Sequence, residues 1–224
     1  MRHPAPALLC SLICLVSAPP ATAHEALDRQ ISSLTLRIEA DPEDAALWLH
    51  RGELHRLRSE WRRALADYRV ARGLEPSLDA VDLCLGELWL DRGRARRAAR
   101  ALDRFVARHP GNAFALAARA RARAALGKHL AAADDYTSAI SAAGPASPLP
   151  DYYLERARAQ AAAGPPFLDA AIRGLEEGAE RLGRPVSLLL PLIDLEARAG
   201  RDRAAQAHRD EVEAQKARAR SGGR

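Results

Sequence analysis

Aromatic residues are scarce in this sequence, 4% of 224 positions with three Trp and three Phe, while hydrophobic residues as a class reach 48%. A core made from such a chain is built mostly of Ala and Leu, which is a helical composition. Runs of Val, Ile and Thr are few, and no Asn-Gly pair separates alternating segments, so a β-sheet has little to form from. Cysteine is nearly absent as well: Cys10 and Cys14 fall in the N-terminal apolar segment, which leaves Cys84. A single thiol excludes an internal disulfide, so stability comes from packing, and Cys84 reads as a small buried hydrophobe because no base accompanies it.

The motifs of common catalytic and metal sites are also missing. There is no H-E-x-x-H, C-x-x-C, G-x-S-x-G or phosphate-binding glycine loop. His50 and His55 are separated by about 140° around a helix, so they do not share a face. Asp134-Asp135 and Glu176-Glu177 point in different directions and read as solubility residues rather than acid/base dyads. The sequence therefore predicts no enzyme, no cofactor and no metal site.

Charge of one sign is not in large excess. Lys and Arg number 34 against 29 acidic residues, a net charge of +5. Acidic residues such as Glu53, Glu60 and Asp67 are interleaved with the arginines, which predicts solvated helix faces with spaced ion pairs and no nucleic-acid partner.

Residues 1–23 have the make-up of a secretory signal peptide. Arg2 supplies the positive start, residues 7–16 an apolar run, and Ala21-Thr22-Ala23 the small residues before a cut at His24. A membrane span needs about 20 apolar residues, so stable insertion after cleavage is not expected. No small residue precedes Cys10 or Cys14, which argues against a lipid-anchored start. The sequence predicts export, to the periplasm or the medium.

A repeat organises the rest. Residues 45–78 carry Trp48, Gly52, His55, Ala64, Tyr68, Ala71 and Pro76. Gly86, Ala98, Leu102 and Pro110 stand 34 residues beyond their counterparts, and the register returns in Ala120, Gly127, Ala132, Tyr136 and Ala139. Gly52 and Ala64 lack bulk, which lets two antiparallel helices close to about 8–10 Å, and a proline ends the second helix. With Tyr68 in place of Phe, Arg51 in place of Leu and His55 in place of Tyr, this resembles the 34-residue tetratricopeptide pattern. The chain is similar to exported bacterial tetratricopeptide-repeat proteins over nearly all of its length after residue 23.

That resemblance implies an all-α fold, a right-handed α-solenoid of tetratricopeptide helix-turn-helix repeats. The predicted organisation is a signal peptide at 1–23, an N-terminal capping helix at 24–44, three repeats at 45–78, 79–112 and 113–146, a fourth repeat-like unit at 150–185, a degenerate fifth unit and C-terminal cap at 186–219, and a tail at 220–224. Leu27, Ile31, Leu34 and Ile38 give the capping helix one apolar face. Gly93, Gly127, Gly164 and Gly200 are placed in inter-helix turns. Pro191 falls inside the first helix of the fifth unit, which either starts late or is kinked.

The resemblance also implies the function class, a scaffold that holds a peptide or protein in a concave groove. By register the partner-binding residues are Leu49, Glu53, Leu83, Glu87, Phe114, Arg121, Leu154 and Arg158. Leu49, Leu83, Phe114 and Leu154 would form an apolar floor, with acidic residues toward the N-terminal half and basic ones at the third and fourth units. The competing reading is that these apolar residues pack inside the solenoid. The clamp with which chaperone-binding relatives grip a terminal carboxylate is not matched, because its positions here are Leu49, Glu53, Cys84, Phe114 and Ala118. A structural subunit of an envelope assembly, joined through its ends or convex face, is the alternative role; an envelope enzyme ranks below it.

Overall fold

A computed structural model of the protein describes residues 20–144 and 149–221, with side chains from residue 24 onward. The predicted signal segment lies outside the described residues apart from the backbone of 20–23, and so do residues 145–148, between the third and fourth units, and residues 222–224 of the predicted tail. Every regular element described is helical, and the chain divides into two compact units at Leu74 and Glu75.

The first unit contains α1 (Pro20–Ala40), α2 (Ala45–Leu57) and α3 (Trp61–Leu74). Helix α1 runs unbroken through the predicted cleavage point and ends just before Asp41-Pro42. Its half-buried Leu27, Ile31 and Leu34 and its buried Ile38 form the face laid on α2. Helix α2 begins at Asp44, whose carboxylate accepts from the backbone N–H of Ala46 at 2.9 Å and of Leu47 at 3.4 Å. This satisfies two of the donors a helix start leaves open. The Trp48 indole N–H donates to the Pro42 carbonyl at 2.9 Å and fixes the turn before the helix.

Helices α2 and α3 close on Gly52, where an added Cβ would lie 2.5 Å from Tyr68 Cε1. Ala64 and Ala71 are fully buried along the same seam. Between them Ser59 adopts φ = 59° at the repeat position where Gly93 (64°) and Gly127 (72°) stand in later turns. A side chain there strains the backbone by about 1–2 kcal/mol, partly offset by the entropy that glycine loses. Ser59→Gly is therefore expected to stabilise the first unit by about 0.5–1 kcal/mol, read as a rise in its melting temperature; a fall would contradict the left-handed turn.

The second unit holds α4 (Ala80–Asp91), α5 (Ala95–Arg108), α6 (Ala113–Ala124), α7 (His129–Ala143), α8 (Pro150–Ala162), α9 (Leu168–Arg181), α10 (Val186–Arg198) and α11 (Asp202–Ser221), with a 3₁₀ turn at Pro165–Phe167. Each helix packs on the next, and α4 on α6 and α8 on α10 pack as alternate neighbours. That is the contact pattern of stacked helix hairpins. The seam of α4 and α5 closes on Gly86 against Leu102, and Ala98 sits at 0% exposure with Leu102, Ala118 and Ala122. Ala98→Leu is expected to overpack this contact and cost about 1–3 kcal/mol, measured by urea unfolding; an unchanged midpoint would misplace Ala98.

Further along, Tyr153, Ile172, Leu175, Leu188, Leu189 and Leu192 make a core at 0% exposure. Pro191 lies inside α10, at its sixth residue, so that helix neither starts late nor stops there. The last helix has only Ala205 and Val212 buried, as suits an element with solvent on most faces.

Three expectations change in the structure. Asp135 is not a solubility residue: it is 4% exposed and held by two arginines, whereas its neighbour Asp134 is exposed. Asp67 is likewise 4% exposed and receives a two-pronged bond from Arg51 Nε and Nη2 at 2.9 and 2.8 Å. Cys84 is only half-buried, so it is a seam residue rather than a core one.

Candidate functional site

The second unit carries an open cavity of about 450 Å³ between α8 and α10, with Leu175 of α9 beneath it. Its walls come from one stripe of each helix. On α8 these are Leu154, Ala157, Arg158, Ala161 and Ala162, and on α10 Pro191, Asp194, Leu195 and Arg198. The i, i+3, i+4, i+7 spacing is that of a single helical face, and the run of alanines on α8 keeps the wall low enough to leave a groove. Leu154 and Leu195 stand on opposite walls and give it an apolar floor.

Charge is confined to the rim. Arg158 Nη1 lies 2.5 Å from Glu155 Oε1, and Arg198 Nη1 lies 3.7 Å from Asp194 Oδ2. These side chains are 38–70% exposed, and pairs so open to water are worth about 0–1 kcal/mol each. They can exchange partners with an incoming chain at little cost. Pro191 adds a backbone feature: lacking an N–H, it leaves the carbonyl four residues earlier, at Ser187, without its helical donor.

The eight residues assigned by register are placed as follows. Leu154 and Arg158 both line the groove, and Asp194, at Arg158's position one unit later, faces it from α10. Arg121 on α6 donates to Glu87 on α4 at 2.9 Å, so those two charges neutralise each other rather than marking separate acidic and basic regions. Leu83 is half-buried against the Phe105 and Ala98 clusters, and Phe114 is 47% exposed. In the first unit Leu49 is buried at 4%, and Glu53 is engaged with Arg56 and the Tyr68 hydroxyl.

Sequence reasoning missed Pro191, Leu195 and Arg198, although steps of three and four residues from Asp194 reach Pro191 and Arg198, and a step of four from Pro191 reaches Leu195. Tyr136 on α7 and Tyr152 on α8 pack with ring centroids 6.5 Å apart, and burial pushes both phenols up.

The groove offers apolar surface, two guanidiniums and one carboxylate. It contains no nucleophile with a base beside it, and among the described residues no group of three or more His, Cys, Asp or Glu is arranged to hold a metal. No helix among the described residues is long and apolar enough to cross a membrane.

No protein-family model matches the sequence, and no curated protein is similar to it. Solved structures match it in fold. PilW, described as a widely conserved type IV pilus biogenesis factor, aligns with a TM-score of 0.71 and 19% identity over 86% of this chain and 87% of that one. A tetratricopeptide repeat protein from Parabacteroides merdae aligns at 0.65 and 18% over 85% and 74% of the two chains. YrrB, described as a tetratricopeptide protein with an unusual peptide-binding site, aligns at 0.66 and 17% over 80% and 90%. With helices throughout and this match to repeat solenoids, the chain has the all-α tetratricopeptide fold.

Proposed function

We propose that this protein is a non-catalytic interaction scaffold, exported by its first 23 residues, that holds a peptide segment of a partner protein in the groove between α8 and α10. The observation that carries the proposal is the groove itself: an apolar floor at Leu154 and Leu195 under a rim of exposed, exchangeable charge. An extended or helical segment with one or two apolar anchors fits it, its flanking charges meeting Arg158, Asp194 and Arg198. YrrB's peptide-binding site supports the assignment by analogy of fold.

The test is to select peptides from a displayed library against the purified protein and measure their affinity for variants. Leu154→Glu is expected to weaken binding by about tenfold or more, a loss of about 1.4 kcal/mol. Because Leu154 is half-buried, its fold is checked by circular dichroism, and Ala162→Trp, at an exposed position on the rim, blocks the groove without adding a charge. Equal affinity for all three proteins would contradict the proposal. Export is tested separately by N-terminal sequencing of protein from fractionated cells: a start at His24 outside the cytoplasm supports it, and an intact Met1 form in the cytosol overturns it.

A second reading rests on the exposed Leu36 (67%) and Leu57 (58%) of the first unit, which suit a subunit joined to an envelope assembly. It predicts that Leu36→Glu with Leu57→Glu releases a partner that Leu154→Glu retains.

A further inference from the structure

Five arginines lie within nine residues at the turn between α4 and α5: Arg92, Arg94, Arg96, Arg97 and Arg100. All five are exposed, and among the described residues none is ion-paired to a carboxylate. The arginines around them are used differently. Arg104 and Arg108 are bonded to Asp82, Arg121 to Glu87, and Arg119 and Arg123 to Asp103 and Asp135. Five exposed cations without a carboxylate partner are thus gathered at one turn.

The cluster is also organised. The Arg97 guanidinium sits 4.7 Å from the centroid of the Trp89 ring and that of Arg92 5.7 Å from it. A guanidinium held over an indole keeps N–H donors free for a second partner, so Trp89 orders two cations side by side. Arg94, Arg96, Arg97 and Arg100 surround an open concavity of about 440 Å³ whose apolar base includes Ala95, Ala125 and Leu126. Helix α5 starts here, and Arg94 at its N-cap makes no side-chain cap bond. The first backbone N–H groups of α5 and its dipole therefore add to the same positive field.

We propose that this concavity docks an acidic segment of a partner protein, a stretch with two or more neighbouring Asp or Glu side chains. Forked guanidinium donors match carboxylates two-to-two, and the methylenes of Glu side chains have Leu126 and the alanines to lie on. The chemistry favours a peptide over nucleic acid because the charge surrounds one concavity instead of running as a stripe that follows successive phosphates. The site is separate from the groove between α8 and α10, and it stands or falls independently of it.

The experiment uses the full chain and a fluorescent peptide of about ten alternating Glu and Asp residues, followed by anisotropy at 0.15 M salt. Arg96→Ser with Arg100→Ser is compared with Arg173→Ser with Arg203→Ser, an equal change of charge at two other exposed positions. The first pair is expected to weaken binding by about tenfold or more and the second by less than about twofold, since only the first removes forked donors from the concavity. Equal losses in the two pairs would reduce the effect to net charge and overturn the proposal. So would the absence of measurable peptide binding, or a labelled DNA duplex bound more tightly than the peptide and lost in the same variant. If the first pair alters the circular dichroism spectrum, Arg94→Ser with Arg96→Ser takes its place and is held to the same outcomes.

Discussion

Asp135→Ala is expected to destabilise the second unit by about 3–5 kcal/mol, the usual cost of leaving a buried ion partner uncompensated. The Asp135 carboxylate is 5% exposed; its Oδ1 accepts from Arg119 Nη2 at 2.7 Å and its Oδ2 from Arg119 Nε at 3.0 Å. Arg123 Nη1 reaches the same Oδ2 at 2.8 Å. Arg119 retains only 16% of its side-chain exposure, so it cannot fully rehydrate once the carboxylate is gone, while Arg123 at 25% recovers more. The result is expected toward the lower end of the range for that reason. Urea unfolding measures it, with Asp134→Ala as the comparison. That neighbour is exposed, and its loss is expected to change stability by no more than about 0.5 kcal/mol. Equal effects at the two aspartates would contradict the buried bridge. Arg119→Leu with Asp135→Leu should lie closer to the native protein than either single change, because it removes the buried charges together.

Gly178→Ala is expected to cost about 2–3 kcal/mol, against the gain of about 1 kcal/mol that alanine brings to an unconstrained helix. A Cβ at Gly178 would lie 2.5 Å from Tyr153 Cγ, 2.7 Å from Cδ1 and 2.9 Å from Cβ. Those atoms are close to the α8 backbone and cannot swing aside as the tip of a flexible side chain would. Tyr153 is itself at 0% exposure, so α8 and α9 must separate. Gly73 provides the opposite case. It lies in α3 with nothing within 4 Å of an added Cβ, and Gly73→Ala should stabilise by about 0.5–1 kcal/mol. If Gly178→Ala also raised the melting temperature, the close approach of α8 and α9 would be wrong.

These two predictions mark what was readable in the sequence. Gly52 and Gly86 are visible because a steric demand leaves a residue-type signature: nothing larger fits against Tyr68 and Leu102, and Gly178 meets the same demand against Tyr153 with the roles of the two helices exchanged and outside that register. That signature recurs at the repeat period, and it revealed the helix pairing. Asp67 and Asp135 are different. Each is bonded to an arginine 16 residues earlier, Arg51 and Arg119, across the two helices of a hairpin. A sequence gives an aspartate the same appearance whether its partner is solvent or a buried guanidinium, so both read as surface charge.

The groove was legible in part for a related reason. Repeat register carries Leu154, Arg158 and Asp194 to one concavity because a helix face follows from position alone. Register does not say how closely the neighbouring elements cover a position. Leu49 at 4% and Phe114 at 47% exposure share the apolar character expected of a floor, and their surroundings give them opposite fates. Pro191 was the remaining obstacle. Read as the mark of a late start or a kink it leaves the course of α10 open, yet the flanking core of Leu188, Leu189, Leu192 and Leu195 holds the helix together around it.

The most direct test of the account is a titration of a library-selected peptide into protein with ¹³C-labelled Leu and Ala methyl groups. Binding in the groove predicts shifts concentrated at Leu154, Ala157, Ala161 and Leu195, with the seam methyls of Leu88 and Leu102 unmoved. Shifts gathered elsewhere in the protein, with the methyl groups of those four residues unchanged at saturation, would contradict the claim that the space between α8 and α10 is where a partner is held.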